Sequence, residues 1–121
     1  MATKIRQMRF VIYPTDNRMT CKRYGFEWVV TIPDRDGITT TKDWLRLHRL
    51  QDIASEHLGR YPSFPLSHYD KRYGSLSDCR FAVRYHHQSY HITNNRLYFR
   101  TREDVDHVIM LYALTNGIGN D

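Results

Sequence analysis

Arg80, Arg84, Arg96 and Arg100 fall at even spacings within residues 80–100, a stretch in which polar and apolar side chains alternate. Period-two alternation collects every second residue of a strand on one face, and here that face also receives His91 and Tyr98. Guanidinium forks bind phosphates or carboxylates, and aromatic rings stack on bases, so this combination suits an anionic partner, single-stranded nucleic acid first among them. Arginines facing one another across strands repel, so folding stability alone does not select such a face. The plain alternative is a solvated surface neutralised by carboxylates from neighbouring loops. A second basic and aromatic group, Arg60, Tyr69, Lys71, Arg72 and Tyr73, lies in residues 59–78, where Pro62, Pro65 and Gly74 interrupt any regular pattern. A connection of that length in a compact domain is either a binding loop or a lid whose aromatics fold onto the core.

His86, His87 and His91 are the candidates for catalysis. Two imidazoles and an arginine suffice for metal-independent acid–base cleavage of RNA, because the histidine pKa lies near working pH and a guanidinium stabilises the developing charge. Histidines beside a turn are more commonly just exposed. Their spacing does not converge as three or four zinc ligands must, so no metal site is expected. Asp34-Arg35-Asp36-Gly37 starts like a calcium loop but lacks the glutamate at the bidentate position, and the six glycines form no phosphate-cradling loop. No cofactor motif stands in the chain, and RNA-recognition, helix-turn-helix and zinc-finger signatures are absent.

Of 18 cationic residues, 14 are arginine and four lysine, against 13 carboxylates, giving a formal charge of +5 beside nine tyrosines and seven histidines. With 121 residues and 40% hydrophobic content the chain suits one domain with one core, too apolar to be disordered. No apolar run approaches the ~20 residues of a membrane span, and residues 1–12 lack the apolar stretch of a secretory signal. A cytoplasmic protein without membrane contact is expected. Cys21 and Cys79 have no paired spacing and are read as reduced.

The elements that must position these residues follow from periodicity. Residues 9–13 form a short β-branched and aromatic run ending at Pro14, and residues 26–32 alternate, with Phe26, Trp28, Val30 and Ile32 on one face. The two could pair as a hairpin around a wide loop. After the threonines at 39–41, which offer N-cap hydroxyls, Trp44, Leu47, Leu50, Ile53, Ala54 and Leu58 recur at three and four until Gly59. Lys42, Arg46, Arg49 and Glu56 are assigned to the outer face of this helix. Three strands are then expected, at residues 80–85, 89–93 and 96–100, with a bend at 86–88 and a tight turn at Asn94-Asn95, since asparagine tolerates the left-handed conformation. Phe81, Val83, Tyr85, Tyr90, Ile92, Leu97 and Phe99 make up the core face. Thr101 caps a last helix with Val105, Val108, Ile109 and Tyr112 as its apolar stripe.

The result is a single α+β domain over residues 1–121, a mainly antiparallel sheet in the order β-β-α-β-β-β-α with two helices on one face. The leading functional expectation is a small non-enzymatic protein that binds single-stranded RNA or DNA through the Arg/His/Tyr face and the long loop. The alternative is an accessory or inhibitory module that docks on an acidic surface of a larger protein, since interface hot spots also favour tyrosine and arginine. A metal-independent ribonuclease built on the histidines is third.

Overall fold

The computed structural model describes residues 5–7, 10–16, 20–32, 41–64, 66–67, 76–88 and 91–116, with the backbone alone at 5–7, 20–21, 41–44, 86–88, 91–95 and 116. Five strands form one sheet: β1 (Ile5–Gln7), β2 (Phe10–Pro14), β3 (Trp28–Thr31), β4 (Phe81–Gln88) and β5 (His91–Phe99), in spatial order β1-β2-β3-β5-β4. All neighbours are antiparallel, so β3 and β5, far apart in sequence, lie side by side at the centre. Three helices complete the set: α1 (Thr20–Arg23), α2 (Thr41–Leu58) and α3 (Arg102–Asn116). The fold is α+β.

Both long helices bury their apolar stripes against one face of the sheet. Leu47, Leu50, Ile53, Ala54 and Leu58 of α2 and Val105, Val108, Ile109 and Tyr112 of α3 meet Phe10, Ile12, Val30, Phe81, Val83, Leu97 and Phe99. Rings set the geometry here: Phe81 stacks on Phe99 at 5.6 Å, and Phe10 meets Tyr112 edge-on at 5.2 Å. Helix α2 ends because Gly59, at φ +91°, adopts the left-handed C-terminal cap and donates its N–H to Ser55 O. Helix α3 starts where the Thr101 hydroxyl accepts the Asp104 N–H at 3.1 Å. Thr39 and Thr40, and the side chains of Thr41 and Trp44, lie outside the described residues.

Four expectations are corrected. Arg46, assigned to a solvated face, is 4% exposed, because it stands four and eight residues before Leu50 and Ala54 and so shares their stripe. Phe26 leaves the face of Val30 and Ile32, since β3 begins only at Trp28 and alternation does not govern the residues before it. The polar run after β2 contains a helical turn, α1, before Gly25 reverses the chain at φ +88°. The last three expected strands are two. Asn94 and Asn95 sit inside β5 opposite His86 and Tyr85, and the chain reverses between Gln88 and His91 instead. A register shift between His86 and His87 leaves Thr93 as the extra residue of a bulge. Leu97 and Phe99 nevertheless lie on the expected face, paired with Val83 and Phe81. Alternation names the face of a residue but is blind to its cross-strand partner.

The other face of the sheet is covered too. Phe26, Val29, Leu66, Leu76, Cys79, Ala82 and Tyr98 form a second buried cluster, with Tyr13, Tyr24 and Phe64 packed at its margin. Part of residues 59–78 supplies this layer by crossing the edge of β4. Tyr61 packs on Phe81 on the helix side, and Phe64 packs on Tyr98 on the far side at 5.0 Å. Between them Val83 donates to Pro62 O at 3.0 Å and accepts from Phe64 N at 3.1 Å, a short parallel bridge centred on Ser63. Among the described residues, no helix is long and apolar enough to cross a membrane.

Candidate partner-binding site

The expected basic face divides into members that hold the fold together and members that face outward. Arg80 belongs to the first group. It precedes β4 and turns to the N-terminus of α3, where Asp104 accepts from its Nε at 3.2 Å and from Nη2 at 2.6 Å. That hydrogen bonding raises the Arg80 pKa, with burial opposing it. Because Arg80 is half-exposed, solvent screens the pair, which contributes on the order of 1 kcal/mol.

Arg100 is held more firmly. Its Nε donates to Cys79 O at 2.7 Å, and its two terminal nitrogens donate to Tyr24 O and Leu76 O at 2.5 Å each. The guanidinium also lies over the Phe26 ring, 4.3 Å from its centroid. Partial burial lowers its pKa. The five donors of a planar guanidinium, spread over three nitrogens, make this three-way arrangement possible.

Tyr98 is 1% exposed and packs under Phe64. Its ring therefore has no open face for a base, and its expected role in stacking is corrected. The strand alternation placed it correctly on the second face but took that face to be open.

Arg84 and Arg96 remain. They are direct cross-strand partners on β4 and β5, Arg84 exposed and Arg96 half-buried. Arg84 is set over the Phe64 ring at 5.7 Å, and among the described residues no carboxylate pairs with either arginine. Like charges at such a position destabilise the sheet by a few tenths of a kcal/mol or more, up to about 1. Arg60, also in the exposed group, reaches Asp78 at 3.5 Å, a weak surface pair.

Tyr69, Lys71, Arg72 and Tyr73 lie outside the described residues. The backbone register brings His86, His87 and His91 to the distal end of the β4–β5 hairpin, as His86 opposite Asn94, His87 opposite Ile92 and His91 opposite Gln88. Their side chains lie outside the described ones. Elsewhere two imidazoles meet edge-on, His57 and His107 at 6.3 Å. Among the described residues no three of His, Cys, Asp or Glu gather as a metal would require.

The sequence reading missed the edge of β4, which only the spatial order of the strands reveals. It also missed Gln51, whose side-chain nitrogen donates to Tyr61 Oη at 3.0 Å and Tyr85 Oη at 2.8 Å beside that edge. The spacing was visible, since Gln51 stands four after Leu47 and seven before Leu58, within the inner stripe of α2. Burial raises the Tyr85 pKa. Comparison with known protein families, with curated proteins and with solved structures finds no match to this chain.

Proposed function

We propose that this chain is a non-enzymatic interaction module that docks on an acidic surface of another protein, with Arg84 and Arg96 at the centre of the contact. The observation that carries this reading is their juxtaposition: two guanidinium groups opposite one another on adjacent strands, with no carboxylate on either among the described residues. A carboxylate from outside would relieve their mutual repulsion and accept two-pronged hydrogen bonds. The nucleic-acid alternative loses Tyr98, one of its base-stacking candidates, to burial. Phosphate contact alone positions a nucleic acid but reads nothing in it. The net charge of +5 steers either kind of anion toward the molecule.

The test titrates the protein with a folded acidic protein, with poly-glutamate and with single-stranded RNA and DNA of similar charge, at several salt concentrations. Docking predicts tighter binding to the acidic proteins and an affinity loss of about tenfold or more for Arg84→Ala/Arg96→Ala, as fits loss of charge-assisted contacts. Tighter binding of RNA or DNA, with a log K against log salt slope that falls by about two in the double variant, would establish the nucleic-acid alternative instead.

A further inference from the structure

We propose that the acidic partner is taken up as an extended segment that adds a strand to the outer edge of β4, beyond the slot at Val83. This rests on the docking reading above and names the form of the partner. In the spatial order β1-β2-β3-β5-β4, strand β4 is terminal, with β5 on one side only. Successive residues of an antiparallel strand turn their backbone groups alternately to either side. Val83 turns outward, as its bonds to Pro62 and Phe64 show. Tyr85 and His87 follow it in the same direction, and among the described residues neither has a backbone partner there.

The edge thus already accepts a short piece of extended backbone. Residues 62–64 of the chain itself fill the slot at Val83, and the next two slots lie in line beyond it. Exposed edges of this kind are templates for pairing with another chain.

Charge selects the occupant. Arg84 stands between the slots of Val83 and Tyr85, exposed and set opposite Arg96 on the neighbouring strand. An incoming strand bearing glutamate or aspartate at alternate positions would place carboxylates on the same face as this pair. A second copy of this chain would instead bring the same arginines and the same +5 charge to the edge, so like charge opposes self-pairing. Nucleic acid has no peptide groups with which to extend the sheet.

The experiment uses the full chain and an acetylated octapeptide of alternating glutamate and valine, followed by amide NMR shifts at low salt. Two further peptides serve as comparisons: its lysine–valine counterpart, and the glutamate–valine peptide N-methylated at every bond, which keeps the charge and removes the donors. Strand addition predicts shifts concentrated at residues 84–88, at least tenfold weaker binding after N-methylation, and none by the lysine peptide. Equal binding of the methylated peptide would overturn strand addition and leave docking by side-chain charge intact. Failure of the acidic peptide to bind at millimolar concentration would also overturn it, while the folded acidic protein tests docking separately. Concentration-dependent dimerisation with the same residues protected would make a second copy the occupant.

Discussion

A like-charged pair on adjacent strands, with no carboxylate on either member among the described residues, makes Arg84 and Arg96 the most informative residues. Arg80 and Arg100 have the same residue type and nearly the same spacing, yet each is bound within the molecule, one to Asp104 and the other to three backbone carbonyls. The distinction lies in what surrounds each guanidinium. Arg84→Glu converts the cross-strand repulsion into an attraction and should raise stability by about 0.2–1 kcal/mol in chemical denaturation. The same substitution should abolish binding to acidic proteins. A variant that gains stability while losing its partner would mark the pair as functional, whereas a loss of stability would show that Arg84 is structural.

The elements were legible to different depths. Both long helices could be read from apolar spacing and caps, and Gly59 and Thr101 end and start them as their chemistry dictates. Strands were legible where β2, β3, β4 and β5 lie, whereas β1 (Ile5–Gln7) was not. The position of the last reversal was not, because the preference of asparagine for turns is a local bias worth less than the pairing of a long strand with its neighbour. The covering of the second face was hidden for another reason: Phe64, Leu66 and Leu76 sit in a run with no periodicity, so nothing in their spacing assigns them to a layer. Gln51 shows how such a run is anchored, since it joins α2 to Tyr61 and to Tyr85 of β4. The folded state raises the Tyr85 pKa above its unfolded value near 10 through burial. Its stabilising effect is therefore complete below about pH 10 and is lost as pH rises through the folded value. Tyr85→Phe should flatten that alkaline limb in pH-dependent unfolding, at a cost near neutral pH of about 0.5–1.5 kcal/mol for the lost hydrogen bond. An unchanged alkaline limb would assign the titration to another group.

At the scale of the whole molecule the sheet is a middle layer, with helices on one side and a layer of turns and loop residues on the other. Arg100 fastens that second layer, because its three acceptors belong to the turn after α1 and to the residues just before β4. Arg100→Ala leaves those carbonyls short of a donor and should cost about 2–4 kcal/mol, charged hydrogen bonds being worth roughly 1.5–3 each and not additive. Gly25→Ala should act at the same place. Gly25 has φ +88°, and a Cβ there would lie 2.6 Å from Arg100 Nη1, a group that its carbonyl partners hold in position. In hydrogen exchange, both variants should speed the amides of residues 24–29 and 76–82 more than those of α2 and α3. Uniform acceleration across the molecule would argue against a separately fastened layer.

The Arg100 clamp also dictates an order of events during synthesis. Tyr24 and Arg100 are 76 residues apart, and β3 gains its central neighbour only when β5 has been made. At roughly 5–20 residues per second, Phe26 and Val29 emerge from the ribosome on the order of 4–15 s before the segment that encloses them. For that interval their exposure to chaperones, or to other nascent chains, is governed by the rate of translation and not by any folding step.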